Sequence, residues 1–199
     1  MSNDSIHQAI DYLSQGLIIA YPTDTLYGLG VDALNTEAIE SLYQLKRRSS
    51  HRPMSIMVPR NSWYNWVHDV PAYAEQLAKK YFPGPITMIM RAGSNLPDIL
   101  TKTTNGTIGI RVPNHPLCLR LLDTFKQPII TTSANLSNKP SAKTPEEIRD
   151  YFGDDIAMIL EGDEEPSGVA STVIDVSDDE PVVIREGAIS SFAITRAIK

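Results

Sequence analysis

The 199-residue chain has a single cysteine, Cys118. One thiol excludes an internal disulfide and a cysteine metal cluster, and it fits a reducing compartment, most simply the cytoplasm. Its neighbours Leu117 and Leu119 mark Cys118 as a small core residue rather than a catalytic thiol. Long apolar runs are missing too. None approaches the roughly 20 residues of a membrane-spanning helix, so no membrane partner is expected. Met1-Ser-Asn-Asp-Ser is not a basic start leading into an apolar stretch, and no signal peptide is read there. The histidines His7, His51, His68 and His115 have no metal-ligand spacing, and neither HExxH nor Gly-x-Ser-x-Gly occurs. No protein-caged metal and no hydrolase triad has a basis in this sequence.

A cationic excess is also absent. The formal net charge is −6, which excludes a general nucleic-acid binder. The charge is uneven, however. Lys46, Arg47, Arg48, Arg52 and Arg60 fall between residues 46 and 60 with no acid among them, while most acids lie in 146–186. A local basic pocket on an acidic body suits a small polyanion such as ATP better than a long one. The length, a hydrophobic share of 42% and the lack of repeats or composition shifts point to one domain over residues 1–199.

Apolar periodicity predicts helices over 6–14, 36–46, 72–81, 117–125 and 189–198, and strands over 17–21, 54–58, 86–90, 107–112, 128–131, 156–160, 171–176 and 182–185. In the second helix Ile39, Leu42, Tyr43 and Lys46 share one side. Pro83-Gly84-Pro85 stops the third. Thr144-Pro145-Glu146-Glu147 opens a further helix, with Thr144 as N-cap, Pro145 at the first position and Glu147 closing a capping box. Residues 22–30, 136–143 and 162–168 read as loops. Helices alternating with short strands indicate a mixed α/β sheet with helices over it.

Five segments could carry chemistry, and each has a bland reading beside the functional one. Tyr21-Pro-Thr-Asp-Thr-Leu-Tyr-Gly-Leu-Gly30 follows a strand and offers hydroxyls and glycine amides to a polar ligand at a helix N-terminus, or is merely a turn. Lys46-Arg47-Arg48-Ser-Ser-His-Arg52 is a phosphate clamp or a solvated helix end. In Thr107-Ile-Gly-Ile-Arg111-Val-Pro113 an arginine interrupts an apolar strand, so it needs a structural carboxylate or a ligand carboxylate. Thr131-Thr-Ser133-Ala-Asn135-Leu-Ser137, with Ser141, follows the end of a strand, where α/β sheets favour ligands, or forms a self-bonded polar turn. Ser171 and Thr172 start a strand, and Arg185 ends the next, free for a ligand or for an ion pair with Glu186 or Asp175.

Together these segments resemble the Sua5/YrdC/YciO family, the L-threonylcarbamoyladenylate synthases. The motifs are Tyr-Pro-Thr-Asp-Thr-x-Tyr-Gly-Leu-Gly30, Lys46-x-Arg48, Pro83-Gly-Pro-x-Thr87, Gly109-x-Arg111-x-Pro113, Ser133-Ala-Asn135-x-Ser137 and Ser171-Thr172-Val, in order over nearly the whole chain. The resemblance implies a YrdC-like α/β (α+β) fold in its short single-domain form: a twisted mixed parallel/antiparallel sheet flanked by helices, with a concave basic face. It implies that ATP, L-threonine and bicarbonate or CO2 are joined into L-threonylcarbamoyl-AMP with release of pyrophosphate, Mg2+ accompanying the ATP. A downstream threonylcarbamoyl-transfer enzyme or complex would then modify position 37 of tRNAs reading ANN codons.

Carried over residue by residue, Lys46 and Arg48 are the expected catalytic cations. Lys46, Arg48, Ser50, Thr107, Ser133, Asn135, Ser141 and Arg185 match nucleotide positions, and Thr23, Ser55, Arg111, Thr131 and Ser171 match threonine positions. Two departures stand out: no proline follows closely after Arg48, and Glu186 replaces a proline common in the family. The stretch from Ser171 to Gly187 also resembles the YciO branch, whereas retention of Lys-x-Arg and Ser-x-Asn favours a synthase. Two other readings stay open, a YciO-type nucleotide-binding paralogue and a non-catalytic RNA-binding module that touches tRNA through a local basic face.

Overall fold

The computed structural model describes residues 3–47, 53–162 and 164–198. Its centre is a nine-stranded sheet: β1 Ile19–Pro22, β2 Tyr27–Gly30, β3 Ser55–Met57, β4 Ile86–Arg91, β5 Thr107–Arg111, β6 Ile129–Ser133, β7 Met158–Ile159, β8 Thr172–Asp175 and β9 Val182–Arg185. The spatial order is β7-β1-β2-β6-β3-β5-β4-β8-β9. The pairs β7–β1, β3–β5 and β4–β8 are parallel and the other five are antiparallel. Helices α1 Asn3–Ser14, α2 Thr36–Leu45, α3 Ala72–Tyr81, α4 Asp98–Thr101, α5 Pro116–Phe125, α6 Pro145–Phe152 and α7 Ser191–Ala197 surround it. The expected mixed sheet flanked by helices is therefore the observed fold.

Successive residues of a strand point to opposite faces of the sheet. On one face Ala20, Ile56, Met88, Ile110, Ile130 and Ile174 join the large core beneath α2, α3, α6 and α7. On the other face Ile19, Tyr21, Met57 and Ile129 meet α1 and α5 through Leu13, Leu117, Cys118 and Leu121. Each fully buried Leu or Ile contributes about 1.5–3 kcal/mol. Cys118 is a core residue, as its neighbours suggest. Its Sγ donates to the Pro22 carbonyl at 3.0 Å, and burial pushes its pKa up, so it stays a thiol.

Only part of that second face is covered by α1 and α5. Over the rest, the residues that point outward include Ser55, Thr87, Gly109, Arg111, Thr131, Ser133 and Ser171, with Ile89 and Val173 beside them, and all of these border a cavity. The alternation of isoleucine with small polar residues thus builds the core and the cavity floor from the same strands.

Three sequence expectations need correction. The first strand begins at Ile19 rather than Leu17, which is 41% exposed. Residues 22–30 are not one loop: after a tight turn closed by Thr23 Oγ1 donating to the Leu26 carbonyl at 2.7 Å, Tyr27–Gly30 returns as β2. This segment therefore runs into a strand, not into a helix N-terminus, and α2 starts only at Thr36 with Asn35 as its cap. Finally, Glu147 receives the backbone amide of Lys143, one residue before the cap, while Thr144 caps α6 as expected.

The hairpin explains the glycines. A Cβ on Gly30 would lie 2.6 Å from the Ile130 carbonyl and 2.8 Å from the Tyr21 ring. Both belong to tightly packed neighbours, and overpacking of this kind costs about 1–3 kcal/mol. Gly30→Ala is expected to lower stability by about that amount in urea unfolding. An unchanged midpoint would show that β2 does not pack against β6 this closely.

Candidate functional site

The cavity holds about 620 Å³ and is lined by residues of β2–β6, β8 and β9 and the turns between them. Of the sequence-derived positions, Thr23, Ser55, Thr107, Arg111, Thr131, Ser133, Ser141, Ser171 and Arg185 all border it. Lys46 and Asn135 stand behind the Ser133 wall. Arg48 and Ser50, with His51 and Arg52 of the same basic stretch, lie outside the described residues.

The floor follows from strand register. Ser55 is opposite Thr131 on one side and Gly109 on the other, and Met57 is opposite Arg111. Gly109 has no space for a side chain, because a Cβ there would overlap Ser55 Oγ and crowd Thr87. Its absence leaves a smooth floor flanked by hydroxyls. Thr87 Oγ1 and Ser171 Oγ share a hydrogen bond of 3.0 Å at the far side.

Two guanidinium groups face this space. Arg111 is 9% exposed. Its Nη2 donates to Asp24 Oδ1 at 2.6 Å, Thr25 Oγ1 at 2.5 Å and Thr23 Oγ1 at 3.1 Å. A structural carboxylate thus accompanies Arg111, yet the arginine still borders the cavity. Arg185 is exposed as a residue, but its Nη2 rests on the Ser171 carbonyl at 2.9 Å. Partial desolvation there, and secondly the like charge of Arg111, lower its pKa. Neither Glu186 nor Asp175 pairs with it: Glu186 accepts from Ser191, and Asp175 accepts from Ser177. Two cations held near each other above a hydroxyl floor form a receptor for anions.

Lys46 is 1% exposed and caps the end of α2. It continues the buried stripe of Ile39, Leu42 and Tyr43, which brings its ammonium to the loop after β6. There Nζ donates to the carbonyl of Ser133, to the carbonyl of Asn135 at 2.8 Å and to Asn135 Oδ1 at 3.2 Å. Ser133 Oγ donates to the same Oδ1 at 2.6 Å, and Asn135 Nδ2 donates to the Lys139 carbonyl at 2.6 Å. The Lys46 carbonyl also accepts from the Ser137 amide at 3.2 Å. The loop is wrapped around the lysine, so two motifs 87 residues apart are one structural unit.

Sequence reasoning missed Thr103 and Thr104 on the cavity wall, and it gave no separate site role to Asp24, Thr25, Thr87, Thr132 and Asp175, which lie within the segments it singled out. The signal was present in strands such as Ile86-Thr-Met-Ile89, where one hydroxyl interrupts alternating apolar positions.

The family model for Sua5/YciO/YrdC, described as telomere recombination, matches residues 11–187. A Bacillus subtilis protein named threonylcarbamoyl-AMP synthase is 37% identical over 202 residues, covering 99% of this chain and 58% of that protein. The structure of Pyrococcus abyssi Sua5 complexed with L-threonine superposes with a TM-score of 0.94 at 32% identity, covering 100% of this chain and 58% of that one. The crystal structure of Escherichia coli YciO gives a TM-score of 0.88 at 30% identity, with 97% of this chain and 94% of that chain covered. The present chain thus spans under two thirds of the length of the first two proteins.

Replacing Lys46 by Met takes the ammonium from the Asn135 carbonyl, while the Ser133 carbonyl keeps the Asn135 amide and Asn135 Oδ1 keeps Ser133 Oγ. Each unsatisfied buried group costs about 1–3 kcal/mol. Lys46→Met is therefore expected to lose at least about 1–3 kcal/mol in urea unfolding, whereas the exposed control Lys79→Met stays within about 0.5 kcal/mol. Equal losses for the two variants would contradict the structural role of the ammonium.

Proposed function

The chain belongs to the Sua5/YciO/YrdC family, and we propose that it is an L-threonylcarbamoyladenylate synthase. It joins ATP, L-threonine and bicarbonate or CO2 into L-threonylcarbamoyl-AMP and releases pyrophosphate. A separate transfer enzyme or complex then passes the threonylcarbamoyl group to position 37 of tRNAs reading ANN codons. The observation that carries this reading is the pair of guanidinium groups, Arg111 and Arg185, at one cavity whose wall is braced by Lys46, Ser133 and Asn135.

The division of labour follows from the chemistry. The carbamate oxygen formed from threonine attacks the α-phosphorus, and the bond to the bridging oxygen of pyrophosphate breaks. Negative charge grows on phosphate oxygens during that step, so fixed cations stabilise it more than any acid or base would. Arg48 and Arg185 are the cations we assign to the nucleotide, with Ser50, Thr107, Ser133 and Ser141 as its hydrogen-bonding partners, while Lys46 and Asn135 hold the loop after β6 that carries this wall. Arg111 receives the threonine carboxylate, for which a guanidinium is the natural partner. Thr23, Ser55, Thr131 and Ser171 complete the amino-acid subsite.

Mg2+ would enter with the triphosphate. The described residues contain no group of three or more His, Cys, Asp or Glu side chains able to hold a metal on their own. When bound, the ion would neutralise phosphate charge, and the protein's part is to hold the phosphates in place.

The fit to nearly the full length of YciO favours one second reading, a nucleotide-binding paralogue without synthase activity. Incubation with ATP, labelled threonine, bicarbonate and Mg2+ separates the two. A synthase yields threonine-dependent pyrophosphate and threonylcarbamoyl-AMP. Lys46→Ala is expected to lower that rate by about 10², because it releases the loop that holds Ser133 on the cavity wall, and a misplacement of about 1 Å costs that much. Pyrophosphate release that ignores threonine would exclude the synthase, and full turnover by Lys46→Ala would remove the lysine from the machinery.

A further inference from the structure

We propose that Asp24 is the positioning residue for Arg111, setting which edge of the guanidinium is offered to an amino-acid carboxylate. The inference deepens the proposed threonine subsite and rests on that reading. It starts from how Arg111 spends its donors. All three of its hydrogen bonds leave from Nη2, toward Thr23, Asp24 and Thr25. Its Nε is enclosed and unpaired. Among the described residues no hydrogen bond leaves from Nη1. The edge left for a ligand in the cavity is therefore the one that carries Nη1.

Asp24 is the group that fixes this orientation. The ion pair is 2.6 Å long, and the two side chains are only 10% and 11% exposed. The threonine hydroxyls are weaker holders because the turn already uses them. Thr23 Oγ1 donates to the Leu26 carbonyl and accepts from the Thr25 and Leu26 amides, and it also shares a hydrogen bond with Thr25 Oγ1. Among the described residues the carboxylate is the one partner of Nη2 that itself carries charge, so it adds ion-pair attraction to the hydrogen bond. Arg185 adds a second, like charge nearby that would otherwise push Arg111 aside.

The carboxylate is held from its own backbone as well. The Asp24 carbonyl accepts from the Ser167 amide at 3.4 Å, and the Thr25 carbonyl accepts from the Gly168 amide at 2.8 Å. The segment leading to Ser171 therefore braces the turn from outside. Asp24 Oδ2 is enclosed and unpaired among the described residues, so the carboxylate grips Arg111 through Oδ1. An Asp in this place acts on the substrate through Arg111, with its own charge already committed.

The test compares binding of L-threonine and of L-threoninamide, which lacks the carboxylate, by calorimetry on the full chain. The wild type is expected to prefer threonine. In Asp24→Asn and Asp24→Ala the affinity for threonine falls about tenfold or more, that for threoninamide stays within about twofold, and the preference collapses. Asp24→Glu restores at least part of the preference. In steady-state assays the same variants raise the KM for threonine and leave the KM for ATP unchanged. A general loss of folding would move both ligands and both KM values together. Tighter threonine binding in Asp24→Asn would overturn the proposal, because Asp24 would then be a competitor for Arg111. An undiminished preference would overturn it too. A wild type that binds threonine but releases no pyrophosphate would sink the synthase reading and leave the binding comparison to decide the role of Asp24. A wild type that binds no threonine overturns both.

Discussion

A buried ammonium ties this site together. Lys46 is almost fully withdrawn from water, and a buried cation is tolerable only when acceptors surround it. The loop after β6 supplies them: two carbonyls and one side-chain oxygen turn toward Nζ, and a backbone amide returns to the Lys46 carbonyl. Another course for the loop would take these three acceptors away from the charge. Its shape in turn sets Ser133 and Ser141 on the cavity wall. The end of a helix and the end of a strand, distant in sequence, are thus fixed by one side chain.

The sheet does the rest by alternation. The strands near the cavity give isoleucines such as Ile56, Ile110 and Ile130 to the large core and Ser55, Arg111 and Thr131 to the opposite face. Helices α1 and α5 close part of that face and leave the remainder open. Gly109 keeps the open floor low, and Arg111, one step of the same alternation further along, brings a cation to its edge. The cavity needs no separate domain or lid to exist. It is the uncovered part of a sheet whose polar residues already point outward.

Much of this was legible in the chain. The helix with Lys46 on its apolar side, the capping of α6 by Thr144 and the alternating 107–112 strand follow from local rules, and the structure repeats them. Nine of the thirteen expected site residues border one cavity. The hairpin of β1 and β2 was not legible, because glycine and threonine read as turn formers. Only contact with β6, where Gly30 passes the Ile130 carbonyl, makes those glycines strand residues. The short helices at 60–66 and 98–101 carry too few residues for any period to show. Asp24 was hidden for a different reason. Its role depends on Arg111, 87 residues away, and no local pattern reveals a partner at that distance.

The dependence of the site on the Lys46 ammonium can be measured directly with a double-mutant cycle. Urea unfolding of Lys46→Met, Asn135→Ala and the double variant gives the coupling between the end of α2 and the loop after β6. Contact partners couple by about 0.5–3 kcal/mol, and independent sites add within about 0.3–0.5 kcal/mol. A coupling of about 1 kcal/mol or more is expected here, because Nζ binds both the side chain and the backbone of Asn135. Strict additivity would mean that the lysine and the loop are held independently, and that the buried charge does not organise the site.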